Sequence, residues 1–209
     1  MLKNYIFDLD NTLYSPEKDV LKEIDRRINI FMHSKLNLKN VNELRKYYRD
    51  NYGTTLLGLM KHHGTNPRDY LDFVHDIEYE KLLDKDENLI SVLGSIEGKK
   101  IIFTNGSYMH AVNTLTCLGV IDMFDNIFSI ENYIEYPKPF EPSYDKVIKA
   151  LQISPAESLY FEDSKRNLNA AKKFNFKTAL VWDRDEDFDY SFDTIYDIIQ
   201  LKDAEVNVG

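Results

Sequence analysis

The sequence predicts an α/β protein, a doubly wound, Rossmann-like parallel sheet core with an inserted helical cap domain. Four short apolar runs each stop abruptly in hydrogen-bonding residues, and helical patterns separate the later runs, an alternation typical of parallel sheets. Residues 15–88, between the first and second runs, carry helical periodicity and no convincing strand. The expected division is a core of residues 1–14 and 89–209, with residues 15–88 as the cap.

The first run, Tyr5-Ile6-Phe7, reads as a strand buried on both faces and stops in Asp8, Asp10, Asn11 and Thr12. After Pro16, residues Val20, Ile24, Ile28 and Phe31 recur near the helical period. Asn40 with Glu43 predicts a capping box for a helix through Tyr47-Tyr48. Leu56 to His63 and Pro67 to Tyr79 read as two further helices, parted by Gly64 and Asn66. The second run, Ile101-Ile102-Phe103, stops in Thr104-Asn105-Gly106. A helix follows from Tyr108 to Leu118, with Ala111, Val112, Leu115 and Leu118 at helical spacing and Gly119 as its stop. Ser143 to Leu151 is a helix placing Val147, Ile148 and Leu151 on one face. The third run, Leu159-Tyr160-Phe161, stops in Glu162-Asp163-Ser164, and the fourth, Thr178 to Trp182, stops in Asp183. Between them, Lys165 to Phe174 is a helix with Lys172 and Lys173 in its last turn, favourable for the helix dipole. The tail after Leu201 is expected to fray.

Composition narrows the possible partners. A chain of 209 residues suits one domain or a core with an insertion. Its net charge of -9 offers nothing to a nucleic acid polymer or an anionic membrane surface. Acidity leaves a small phosphorylated metabolite open, because a bound cation and a few donors can reverse the local field. Cys117 is the single cysteine, so an internal disulfide is impossible and a reducing compartment is expected. Without a targeting segment or a run of roughly 20 apolar residues, the expected address is the cytoplasm. Oligomeric state is left open.

Asp8 and Asp10 lie two apart at a strand end, so their side chains can share one face. Taken alone, such a pair could simply cap the next turn. Ligands of parallel sheets bind beyond the carboxyl ends of the strands, however, so the four polar terminations should meet at one site.

With those residues in place, the sequence resembles the haloacid dehalogenase superfamily of phosphohydrolases. Asp8-Leu9-Asp10-Asn11-Thr12 is similar to its first motif, Thr104-Asn105-Gly106 to its second, Lys138 before Pro139 to its third, and Glu162-Asp163-Ser164 to its acidic fourth. A narrower resemblance is to pyrimidine 5'-nucleotidases. It rests on Phe7 through Tyr14, on Tyr52-Gly53-Thr54-Thr55-Leu56, on the segment Tyr136 through Pro142, and on Phe161-Glu162-Asp163-Ser164 followed by Asn167. Nucleotidases of this type often carry two aspartates where this chain has Glu162-Asp163.

The resemblance implies a Mg2+-dependent phosphomonoester hydrolase in which Asp8 attacks phosphorus and Asp10 serves as acid and then base. It implies Asp8, the backbone carbonyl of Asp10 and Asp163 as metal ligands, with Glu162 nearby. Thr104 and the backbone amide of Asn105 would hold phosphoryl oxygens, and Lys138 would neutralise charge on Asp8 and the phosphoryl group. The expected substrate is a nucleoside 5'-monophosphate, with a sugar-phosphate phosphatase or phosphomutase as the alternative. A phospho-signalling module would be shorter and lack the insertion, and a silent binding module would not need every motif residue. Dehalogenation has no leaving group that needs the acid Asp10.

Other features are expected to be structural. His62 and His63 are adjacent and fall on different helix faces, so they read as surface residues rather than a zinc pair. Tyr47-Tyr48 reads as a core edge, Cys117 as packing, and Asp183 to Asp189 as a solvated loop near the site's rim. Asn167, one helical turn past Asp163, either supports the metal shell or faces solvent.

Overall fold

A computed structural model describes residues 2–201, so the expected fraying after Leu201 falls outside the described residues. The strands are β1 (Asn4–Phe7), β2 (Lys99–Phe103), β3 (Asn126–Phe128), β4 (Ser158–Glu162), β5 (Lys177–Val181) and β6 (Tyr190–Phe192). They form one sheet in the order β3-β2-β1-β4-β5-β6, with every pairing parallel. The doubly wound α/β expectation is met.

Alternation along the strands feeds two cores. Ile6, Ile101, Phe103, Tyr160 and Leu180 face one side, while Tyr5, Phe7, Ile102, Leu159, Phe161 and Ala179 face the other. The first side is covered by α7 (Glu141–Leu151) and α8 (Lys165–Lys172), through Tyr144, Val147, Leu168 and Ala171. The second is covered by α5 (Glu87–Gly94) and α6 (Tyr108–Leu118), through Leu89, Val92, Leu93, Ala111 and Leu115. Burial on both faces is why these strands read as unbroken apolar runs.

Between β1 and α5 the chain is helical: α1 (Val20–Ile30), α2 (Val41–Tyr52), α3 (Thr55–His63) and α4 (Pro67–Val74). Helix α1 runs on into a π-helical turn, Phe31–Lys35. Thr54 caps α3 by accepting from the Leu57 amide, and Asn66 caps α4 from the Arg68 and Asp69 amides. Helices α2 and α3 approach closely at Gly58, where a Cβ would lie 2.2 Å from Cγ of Tyr48.

Several local expectations are corrected. Asn40 adopts a left-handed backbone at φ 51° and makes no side-chain cap, because a cap residue needs extended geometry to reach the amides ahead of it. The helix expected over Pro67 to Tyr79 ends at Val74, and Tyr79 opens a separate short turn that reaches into the core. Strands β3 and β6 and helix α5 were not foreseen; the two edge strands have three residues each, too few to show alternation. Strand β5 ends at Val181, since Trp182 turns to φ 66°. Asp189, expected in a solvated loop, accepts from the Thr178 amide at 2.9 Å and its hydroxyl at 2.8 Å. Tyr47 is 49% exposed, whereas Tyr48 beside it is buried. His62 and His63 are exposed as expected, bonded to Tyr52 and Tyr48 respectively. Among the described residues, no helix is long and apolar enough to cross a membrane.

Candidate active site

Three adjacent strands, β2, β1 and β4, deliver their carboxyl ends to one cavity of about 300 Å³. Asp8 follows β1, and its amide still donates to the Phe161 carbonyl of β4 at 2.9 Å, so the backbone is held in ladder geometry up to the carboxylate. Thr104 follows β2 and donates its amide to Phe128 of β3 at 3.0 Å. Glu162 is the last residue of β4 and Asp163 comes next. Asp8, Asp10, Thr104, Asn105, Lys138, Glu162 and Asp163 all line this cavity. Every site residue expected from the sequence is brought together.

Lys138 lies at the centre and is 1% exposed. Its Nζ shares three protons among four acceptors, Asp8 Oδ1 at 2.7 Å, the Phe103 carbonyl at 2.8 Å, the Tyr160 hydroxyl at 2.9 Å and Glu162 Oε2 at 2.9 Å. Tyr160 and Glu162 are two apart on β4, hence on one face, and the Tyr160 hydroxyl donates to Glu162 Oε2 at 2.5 Å. Burial pulls the Lys138 pKa down, but Asp8 and Glu162 outweigh it and hold it above its ordinary value. Glu162 is therefore first of all the anchor of Lys138, with its second oxygen accepting from the Ser164 amide at 3.3 Å.

The carboxylates outnumber the cations. Asp8, Glu162 and Asp163 each bring an oxygen within 4.8 Å of the others. Burial, then Glu162, pushes Asp8 up to about 7 against the pull of Lys138. Burial, then Glu162 and Asp8, pushes Asp163 up to about 9. Such shifts mark negative charge that one lysine does not balance, and a hard divalent cation fits a donor set made of carboxylate oxygens.

Asp10 sits in a different environment. Its Oδ1 receives the Tyr14 hydroxyl at 2.5 Å and meets His110 Nε2 at 2.7 Å. Burial pulls the Asp10 pKa upward, but the charge and hydrogen bond of His110 and the Tyr14 hydroxyl overcome it, and the net shift is downward. His110 is fully buried in the first turn of α6, whose N-terminal amide is capped by the Ser107 hydroxyl at 3.1 Å. Its Nδ1 contacts the Tyr79 hydroxyl at 2.9 Å, and its ring stacks on His75 at 4.6 Å between centroids. Burial and His110 push His75 down to about 3, so its ring is neutral.

Tyr14, His75, Tyr79 and His110 were not picked out from the sequence as site residues. His110 did leave a trace: it shares the buried face of α6 with Ala111, Thr114, Leu115 and Leu118, an unusual place for an imidazole. Asn105 also has a role beyond the amide expected of it, since its side chain bonds the backbone of Lys138. Asn167 lines the cavity and is half-buried, which favours the supporting position over the solvent-facing one. From the helical insertion, Gly53, Thr54, Thr55 and Leu56 form part of the cavity wall. Gly53 packs tightly there: a Cβ would lie 3.0 Å from the Phe140 ring and 3.2 Å from the Lys138 carbonyl.

A family model described as haloacid dehalogenase-like hydrolase matches residues 5–181, a span that holds every residue of this site. The chain belongs to that family. Phosphate metabolism protein 8 of Saccharomyces cerevisiae is 22% identical over 232 aligned residues, covering 95% of this chain and 71% of the yeast protein. L-2-haloacid dehalogenase from Xanthobacter autotrophicus, solved with chloropropionic acid covalently bound, matches with a TM-score of 0.65 and 17% identity, covering 97% of this chain and 99% of the other. The HAD-hydrolase YfnB from Bacillus subtilis, solved bound to magnesium, matches with a TM-score of 0.59 and 15% identity over 96% of this chain and 98% of the other. At such identities the structural likeness establishes the fold, and the chain is a hydrolase of this family.

Proposed function

We propose that this hydrolase is a Mg2+-dependent phosphomonoesterase acting through an aspartyl-phosphate on Asp8, with a nucleoside 5'-monophosphate as substrate. The observation carrying the reading is the setting of Asp8, held at 2.7 Å by buried Lys138 and gathered with Glu162 and Asp163 on the wall of one cavity. An aspartate so placed is a poor surface group and a well-oriented nucleophile.

In the first step an Asp8 oxygen bonds to phosphorus as the bond to the leaving oxygen breaks, and Asp10 gives that oxygen a proton. In the second, Asp10 takes a proton from water, which attacks the aspartyl-phosphate and releases inorganic phosphate. The lowered pKa of Asp10 suits the basic role, and an incoming phosphoryl dianion would raise it toward the acidic one. Thr104 and the Asn105 amide would receive phosphoryl oxygens, and Lys138 would offset charge on both partners. Asp8, the Asp10 backbone carbonyl and Asp163 would hold Mg2+, with Glu162 beside them; when bound, the ion supplies the charge that lets an anionic nucleophile meet an anionic ester.

Residues 15–88 would act as a cap that excludes bulk water and selects the leaving group, with Gly53 to Leu56 nearest the substrate. Dehalogenation is disfavoured, because a halide leaves without a proton and would give the Asp10 network nothing to do. The yeast relative's name, with its reference to phosphate metabolism, agrees in direction.

The test is phosphate release from nucleoside monophosphates and sugar phosphates with Mg2+ present, for the wild type and Asp8→Asn. Turnover of a nucleoside 5'-monophosphate that Asp8→Asn loses, while keeping the native fold, is expected. Turnover retained by Asp8→Asn would reject the nucleophile, and a preference for sugar phosphates would reject the substrate.

A further inference from the structure

We propose that His110 is a positioning residue for Asp10, pinning one carboxyl oxygen so that the other is the one presented to the leaving group. The inference rests on Asp10 as proton donor and extends it to a residue outside the four motifs. Oδ1 of Asp10 is doubly occupied, by Tyr14 at 2.5 Å and by His110 Nε2 at 2.7 Å. Among the described residues, nothing hydrogen-bonds Oδ2, and Asp10 lines the cavity. The carboxyl group therefore has one tethered oxygen and one available oxygen.

The tether is itself tethered. The Tyr79 hydroxyl is 3.0 Å from the His75 carbonyl, which can only accept, so the single Tyr79 proton goes there. The Tyr79 oxygen is then left facing His110 Nδ1 at 2.9 Å, a contact that turns the ring so that Nε2 points at Asp10. Stacking on neutral His75 fixes the ring plane, and His75 is in turn bonded through Nδ1 to the Ser107 hydroxyl at 2.9 Å. Gly106 leaves the ring its space, since a Cβ there would lie 2.7 Å from His110 Cδ2. Both His75 and Tyr79 belong to the segment returning from α4, so the orientation of the acid depends on how that segment is seated. A chain of partners with every link spoken for holds a rotamer more firmly than packing alone.

The test compares kcat/KM for an alkyl phosphate, whose alkoxide must be protonated to leave, with that for 4-nitrophenyl phosphate, whose phenolate leaves unaided. The enzyme is the full chain with Mg2+, as wild type, His110→Phe, His110→Gln and Tyr79→Phe. For His110→Phe, the alkyl ester should lose about 100-fold and the nitrophenyl ester less than about 5-fold. His110→Gln should recover part of the loss by restoring a donor, and Tyr79→Phe should show the same selectivity more weakly while removing only a hydroxyl. Equal losses on both esters, or no loss on either in a folded Tyr79→Phe and His110→Gln pair, would overturn the proposal. A wild type inert toward every phosphate ester would instead overturn the phosphatase reading itself and the positioning role with it.

Discussion

Asn105 grips the backbone of Lys138 with both ends of its side-chain amide. Its Nδ2 donates to the Lys138 carbonyl and its Oδ1 accepts from the Lys138 amide, each at 3.0 Å. The two residues lie on different elements, one after β2 and the other before α7, so this clamp sets the height at which the Lys138 ammonium meets Asp8. Asn105→Ala frees the loop and should lower kcat/KM by about 100-fold, the scale of a misplaced catalytic group. Steady-state kinetics with Mg2+ check this, and a loss confined to KM would count against the clamp.

Lys138→Ala removes the cation from between Asp8 and Glu162 and should abolish turnover. Loss of one partner from a buried ion pair destabilises by about 3 kcal/mol. The destabilisation should shrink in acid, where Asp8, raised to about 7, can take up a proton instead. Denaturant unfolding at about pH 5 and about pH 8 measures the difference.

Metal and protons should compete for the acidic cluster. Asp8 and Asp163 are raised from 3.8 to about 7 and about 9, so the folded state binds protons more tightly than the unfolded state does. Their contribution to stability is complete below the unfolded value and is lost as pH rises through the folded ones. The metal-free protein should therefore lose stability progressively between about pH 4 and about pH 9, and added Mg2+ should raise Tm more at the upper end. Calorimetry with chelator and with Mg2+ decides it; a Mg2+ shift that is larger at low pH would contradict the assignment.

Gly58→Ala places a methyl group 2.2 Å from Cγ of Tyr48, close to the root of a buried ring that cannot swing away. Overpacking of this kind should destabilise the protein by about 1–3 kcal/mol, although alanine ordinarily favours a helix. A thermal melt that is unchanged or raised would show that α2 and α3 can part at no penalty.

Much of this site was written in the linear order of residues, for a physical reason. A strand buried on both faces must be apolar throughout, so the first polar residue after Phe7, Phe103 or Phe161 marks the sheet's edge, and ligands bind at that edge. Lys138 has no such strand before it and was found only through its place in a family pattern. Of the partners of Asp10, Tyr14 lies four residues on, but His110 was harder to see because it and the Tyr79 behind it act across long gaps, one on each side of β2 in sequence, and neither stands beside a motif carboxylate. Edge strands such as Tyr190–Phe192 owe their conformation to a neighbouring strand rather than to a pattern of their own.

Strand β1 precedes the other strands in sequence yet lies inside the sheet, with a ladder to Lys99–Ile102 on one side and to Ser158–Phe161 on the other. During synthesis Asp8 emerges ahead of both strands that flank β1, and β4 follows only after helices α1 to α7 have been made. Pairings this distant in sequence form slowly. Assembly of the acidic cluster is thus a late event in the life of each molecule, and a truncated chain ending before β4 would carry Asp8 with neither its second ladder nor Glu162 and Asp163.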